Sequence, residues 1–240
     1  MKQVFVMLLL LCGAAASACA VTVEAHVRYT AASKKNAPLS ASNIVLWLTP
    51  LSQPQIAEAQ AKLRKLPHRF ELEQSEKTFI PHLLVAPAGS LVSFPNRDPF
   101  FHNVFSLFDG KRFDLGLYET SATRSVRFDR PGISFIFCNI HPQMSAVVIA
   151  LDTPYYGVTD AAGRVKIAGV PGGRYRLEIW SERALPETLQ QLSREVDVGE
   201  SGGDLGSFTI AASRDLLANH KNLYGRDYDP VTPSDVPYGP

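Results

Sequence analysis

Cysteine is scarce in this 240-residue chain: there are three, Cys12, Cys19 and Cys138. Two of them fall in an N-terminal leader, so Cys138 is the one expected to persist, and no internal disulfide can be drawn. Excess charge of either sign is also lacking. The 24 Lys and Arg face 23 Asp and Glu, for a net charge of +1. Without Lys2, in the same leader, the two signs balance. No basic cluster or charge block occurs, which argues against nucleic acid and against an electrostatically held membrane surface. The one long apolar run, Val4 to Leu11, is too short to cross a bilayer. There is no internal repeat. No Gly-x-Ser-x-Gly, phosphate loop or His-Glu-x-x-His pattern is present, so no enzymatic activity is expected.

The leader has a definite form. Met1-Lys2-Gln3 carries one positive charge, Val4 to Leu11 is apolar, and Gly13 to Ala20 is a stretch of small residues. That order is the layout of a secretory signal peptide over residues 1–20. It offers two Ala-x-Ala cleavage frames, Ala16-Ser17-Ala18 and Ala18-Cys19-Ala20. A periplasmic or secreted location follows, with attachment to a membrane only if Cys19 were lipidated. An unpaired Cys138 in an oxidising compartment calls for a reason, and a bound metal supplies one. The remaining chain of about 220 residues can bury one large core or two small ones.

Nearly all of the regular patterning is that of short strands. Val21 to Tyr29 alternates strictly, with Val21, Val23, Ala25, Val27 and Tyr29 on one face and Thr22, Glu24, His26 and Arg28 on the other, as a half-buried strand does. A polar turn with Lys34, Lys35, Asn36 and Pro38 separates it from an apolar strand, Ile44 to Leu48. Ser52 and Gln55 fit a capping box ahead of Ile56, Ala59, Leu63 and Leu66, which predicts a helix over 53–66. Strands follow at Phe79 to Val85, Leu91 to Phe94, Val126 to Phe128, Ile133 to Phe137 and Ser145 to Ala150, separated by Pro- and Gly-bearing turns. Ile133 to Phe137 is apolar on both faces, so a further layer is expected to cover its outer side. Val165 to Ile167, Tyr175 to Trp180, Val196 to Val198 and Phe208 to Ile210 are further strands. The proline-rich end beyond Lys221 shows no periodicity and reads as extended or disordered. The fold class is all-β, a sandwich or barrel.

The chemistry concentrates in Phe137-Cys138-Asn139-Ile140-His141-Pro142-Gln143-Met144. Cys138, His141 and Met144 fall at intervals of three on one short loop between two strands, so a thiolate, an imidazole and a thioether can converge on one point. His102, in Pro99-Phe100-Phe101-His102-Asn103-Val104, supplies a second imidazole. Two His, one Cys and a weak axial Met form the ligand set of a blue-copper centre. Met is a poor zinc ligand, which makes zinc the lesser choice. Taken singly, Cys138 would be an inert core thiol, His102 a loop histidine and Met144 core filler. Their joint placement between strands is what points to metal. Pro142 carries no N–H and stiffens the loop beside His141. Asp98 and Asp114 sit in turn-like contexts and imply no substrate. His26 lies on a polar strand face, His68 and His220 in loops, and His82 inside the strand at 79–85.

These residues resemble the ligand loops of cupredoxins of the amicyanin and plastocyanin kind. Phe94-Pro95-Asn96-Arg97-Asp98, Phe113 to Tyr118, Cys138-Asn139-Ile140-His141 and Thr153-Pro154-Tyr155 resemble cupredoxins labelled methylamine-utilisation-like. Phe137 and Gln143 stand where many relatives have a glycine and an aromatic. The resemblance implies a Greek-key β-sandwich over 78–152 holding copper, with Asn103 tethering the two ligand loops. Residues 157–180 resemble a smaller carboxypeptidase-regulatory-like, transthyretin-like β-sandwich, with a Thr-Asp-x-x-Gly turn and a Pro-Gly turn. The expected organisation is therefore a discontinuous second sandwich from 21–52 and 153–211, a linker with a short helix at 53–77, and a tail at 212–240. The alternative is an N-terminal hairpin belonging to the cupredoxin itself, since neighbouring strands usually pair.

The function implied is that of an exported one-electron carrier, expected to be a monomer that exchanges electrons with redox partner proteins. Copper delivery with the same ligands, or a structural protein with a vestigial site, are the alternatives.

Overall fold

The structure, a computed structural model, describes residues 20–30, 39–107, 110–213 and 220–228. The leader with Cys12 and Cys19, the polar turn around Lys34 to Pro38 and the end of the tail lie outside the described residues. In chain order the elements are β1 (Ala20–Tyr29), β2 (Val45–Pro50), α1 (Gln53–Leu63), β3 (Arg69–Glu71), β4 (Glu73–Ser75), β5 (Thr78–Ile80), β6 (Leu83–Pro87) and β7 (Ser90–Pro95). Then come β8 (His102–Ser106), β9 (Phe113–Tyr118), β10 (Thr123–Phe128), β11 (Gly132–Phe137), β12 (Ser145–Leu151), β13 (Tyr156–Val158), β14 (Arg164–Pro171), β15 (Gly173–Trp180), α2 (Pro186–Leu192), β16 (Arg194–Val198) and β17 (Gly203–Ile210). The fold is all-β, with two short helices, and no described helix is long and apolar enough to cross a membrane.

Two groups of strands separate by pairing. One sheet has the order β14-β1-β17 and another β13-β2-β15-β16, so the named strands before residue 51 pair only with strands between 156 and 210. Those between 69 and 151 pair only among themselves, in the orders β6-β12-β11-β8-β9 and β10-β7-β3, with a small β4-β5 ribbon. β1 shows why alternation is informative: Val23, Ala25 and Val27 are buried, while Thr22, Glu24, His26 and Arg28 face solvent. Its link to β14 needs Gly163. That residue has φ +77°, and a Cβ there would lie 1.9 Å from the Val27 carbonyl oxygen, so neither the backbone nor the space admits a side chain.

β12 explains how the two groups join. Val147, Ile149 and Leu151 enter one core, shared with Leu46, Leu48, Tyr175, Leu177 and Trp180 of the first group, while Ala146, Val148 and Ala150 enter the second core with Val92, Phe94 and Phe128. The preceding strand does the same, with Phe137 on one side and Ile136 on the other. A strand buried on both faces reads as a continuous apolar run. Each fully buried Val, Leu or Ile contributes roughly 1.5–3 kcal/mol. A one-residue slip would exchange the large outward set for the small inward one, so the register is strongly specified. The layer covering the outer face of β11 and β12 is therefore the sheet containing β2 and β15. His82 bridges the groups too, through Glu182 at 2.6 Å and the Ser145 carbonyl at 3.1 Å.

Local structure departs from expectation in four places. The helix ends at Leu63, and Ser52 makes no capping bond to the backbone. Its hydroxyl instead donates to Gln55 Oε1, whose amide donates to the Gly172 carbonyl, so tertiary bonding outcompetes the capping box. Pro81 divides the strand expected at 79–85 into β5 and β6, leaving His82 between them; proline removes the donor the ladder needs. The segment at 53–77 is not all linker, because β3 pairs with β7 and β4 with β5. Within the tail, residues 220–228 are folded against the body, as described below, rather than extended.

Candidate metal centre

The site begins at the end of β7. Asn96 is buried and shapes the following loop, its Oδ1 accepting the Asp98 N–H at 2.9 Å and its Nδ2 donating to the Phe100 carbonyl at 2.7 Å. That loop delivers Asp98 beneath His102, the first residue of β8. Asp98 is gripped from a third direction. The two-residue turn between β4 and β5, Glu76-Lys77, has φ of 53° and 55°, a left-handed pair that hairpin turns usually fill with Asn-Gly. Its two N–H groups donate to the Asp98 carboxylate at 2.6 and 3.0 Å.

His102 is fully buried, and its Nε2 lies 2.8 Å from Asp98 Oδ2. A carboxylate can only accept, so Nε2 carries the hydrogen and Nδ1 keeps its lone pair. Burial holds His102 below the ordinary histidine range, against the opposing pull of Asp98. Burial alone would push the Asp98 carboxyl up, but the Lys77 and Glu76 N–H groups and the His102 ring together hold it down. The outcome is a neutral imidazole with a fixed tautomer.

The second half of the site is the loop between β11 and β12. These strands pair Phe137 with Ser145, so Cys138 and Met144 stand at the two feet of the loop. The Cys138 N–H donates to the Met144 carbonyl at 3.3 Å, and the Met144 N–H to the His141 carbonyl at 3.1 Å. Cys138 and Met144 are both fully buried in the second core. Burial pushes the Cys138 thiol up, while the N–H groups of Asn103, Ile140 and His141 pull it down by less. A metal must therefore displace a proton from this sulfur on binding.

The structure brings three of the four expected ligands into one triangle. Cys138 Sγ lies 3.7 Å from His102 Nδ1 and 3.5 Å from His141 Nδ1, and the two Nδ1 atoms are 3.1 Å apart. Among the described residues this is the group of His, Cys, Asp and Glu side chains arranged to hold an ion. The donors fit one. Nitrogen and sulfur ligands stand about 2.0–2.3 Å from a first-row metal ion, so three in a plane are separated by roughly 3.5–4 Å; the two edges to sulfur match this, and the edge between the imidazoles, at 3.1 Å, is shorter. The fourth, Met144, shares the buried core beside Cys138.

Other expected residues have different partners from those foreseen. Asn103 does not reach the cysteine loop through its side chain: Nδ2 donates to Asp114 Oδ1 on β9 at 2.7 Å. The link between the two ligand loops is made by the Asn103 backbone N–H facing the Cys138 sulfur. Pro142 is half-buried beside His141. Asp98, expected only as a turn residue, is the group that orients His102. Phe100 was also missed, although its ring packs on both His102 and His141, with centroids 5.2 and 5.5 Å away. Phe101 and Ile140, 44 % and 46 % exposed, extend an apolar rim on the ligand loops.

No family model matches this chain, and no curated protein does. Among solved structures it is similar to cupredoxin proteins. A copper-containing nitrite reductase from Thermus scotoductus SA-01 is 22 % identical with a TM-score of 0.34, over 36 % of this chain and 23 % of that one, so less than a quarter of that enzyme's length is spanned. A purple cupredoxin from Nitrosopumilus maritimus is 22 % identical with a TM-score of 0.31, over 34 % of this chain and 98 % of its own. Amicyanin from Paracoccus versutus is 20 % identical with a TM-score of 0.32, over 37 % and 88 %.

Proposed function

We propose that this chain is an exported type 1 copper protein of the cupredoxin kind that carries single electrons between redox partners. The observation that carries the reading is the triangle of His102 Nδ1, His141 Nδ1 and Cys138 Sγ, with edges of 3.1–3.7 Å. A softer thiolate with two imidazoles and a thioether favours copper over other divalent ions. Copper bound there would supply a one-electron couple.

The chain's own residues do the rest. Asp98 keeps the His102 lone pair aimed inward. The N–H groups of Asn103, Ile140 and His141 face the sulfur and stabilise its anionic form. Phe100, Val104, Tyr118 and Ile136 exclude water from the buried side. Donors held this firmly change position little when charge is gained or lost, which suits electron transfer. His141, half-buried next to Pro142 and the exposed Ile140, is the donor nearest to solvent and the natural contact for a partner.

The test is a visible spectrum of the mature protein after addition of Cu(II), beside Cys138→Ser. An intense thiolate-to-copper band that vanishes in the variant is expected, with a reversible couple. A colourless protein that still binds copper would move the reading to delivery, and a protein that binds none would end it.

A further inference from the structure

The segment 220–228 carries an inference that rests on the copper reading. It is internally bonded. Asn222 Oδ1 accepts the N–H groups of Tyr224 and Arg226, both at 3.0 Å. The Asn222 N–H donates to the Arg226 carbonyl and the Gly225 N–H to the Asn222 carbonyl, both at 2.9 Å. Gly225 has φ +73°, and Lys221 pairs with Asp227. The result is a compact turn.

This turn engages three consecutive residues at the foot of the ligand loop, 83 to 90 positions earlier in the chain. His220 stacks on the Phe137 ring, with centroids 4.1 Å apart and planes at 19°. The Tyr228 hydroxyl donates to the Cys138 carbonyl at 2.8 Å, and the Leu223 N–H to Asn139 Oδ1 at 2.8 Å. Leu223 also packs on the first core. Successive side chains of a strand point to opposite faces, so the turn sits on the Phe137 face, away from the sulfur. The Cys138 peptide groups are thus held from both sides: its N–H by Met144 within the loop, its carbonyl by Tyr228 from outside.

We propose that residues 220–228 are a strap that positions the cysteine foot of the copper loop, with Tyr228 as the positioning residue. The hydroxyl fixes the Cys138 carbonyl and so limits rotation of the peptide that carries the ligand. Loss of one such bond weakens a local closed state by about threefold to tenfold.

The experiment compares the full mature chain with Tyr228→Phe, which keeps the ring and removes the donor. Tyr224→Phe is the control, because Tyr224 is 73 % exposed at the tip of the turn. Two readouts are taken: deuterium exchange of peptides spanning 138–144 in the metal-free protein, and the rate of Cu(I) loss to a chelator. The expected result for Tyr228→Phe is exchange over 138–144 and copper loss both faster by about threefold to tenfold, with exchange in β1, β14 and β17 unchanged. Rates equal to those of Tyr224→Phe would overturn the strap. Exchange raised throughout the chain would overturn it as well, since the segment would then be a general staple. A wild-type protein without a thiolate band would sink the copper reading, whereas metal-free exchange would still decide the strap.

Discussion

His102 and His141 face each other across 3.1 Å, yet the molecule holds them in contrasting ways. His102 opens a strand, is fully buried, and is fixed by a carboxylate that is itself gripped by a hairpin turn. His141 sits on a loop, half-buried, beside Pro142 and the exposed Ile140. The buried side provides preorganisation and the loop side provides access. The proposed electron carrier, holding its ion firmly while a partner touches it, would need both.

The largest effect that could break this contrast comes from removing each imidazole. His102→Gly and His141→Gly are both expected to abolish the thiolate band. Added imidazole is expected to restore it only in His141→Gly, because only that position opens toward solvent. Equal rescue in both, read from titrated spectra, would show that the two sides are equally accessible. Next, Asp98→Asn replaces the acceptor that orients His102, and copper affinity is expected to fall about 10- to 100-fold. Competition with a chelator measures this, and an unchanged affinity would remove Asp98 from the site.

Acid sharpens the comparison from the buried side. His102 and Asp98 are both held below their ordinary values of 6.5 and 3.8. A depressed value contributes stability that is present above the unfolded value and is lost as pH falls through the folded one. The metal-free protein is therefore expected to lose thermal stability progressively below pH 6.5, and further below 3.8; Asp98→Asn removes the second loss and steepens the first, because the pull of Asp98 that opposes the depression of His102 is gone. Melting curves across that range check the sign, and stability that rose on acidification would contradict it. The smallest effect is Met144→Leu, which conserves core volume and is expected to cost under about 1.5 kcal/mol in the metal-free chain. If the thioether is also a ligand, the copper potential shifts while the metal-free melting point barely moves.

Much of the candidate site is legible in the linear chain because three of its expected ligands fall within one seven-residue loop, and strand patterning on either side places that loop. His102 is legible through its Pro99 to Val104 setting. Asp98 is not, because its role depends on N–H groups of Glu76 and Lys77 more than twenty residues earlier. Those residues adopt a left-handed turn that Glu-Lys does not advertise. Phe100 likewise becomes part of the site only when the two ligand loops meet. The strap is hidden more deeply. A proline-rich, aperiodic end gives no sign that Tyr228 will find the Cys138 carbonyl.

Strand alternation and residue chemistry, both local properties, are enough to specify an all-β chain with a soft-donor loop between two apolar strands. Partner choice is a different kind of information. That β1 lies between β14 and β17, that β12 divides its side chains between two cores, and that residues 220–228 pack against Phe137, Cys138 and Asn139 all depend on burial and hydrogen bonds between distant segments. Such bonds form only where the whole chain leaves a donor or an apolar face in need of cover, and no window of the sequence contains both halves of that need.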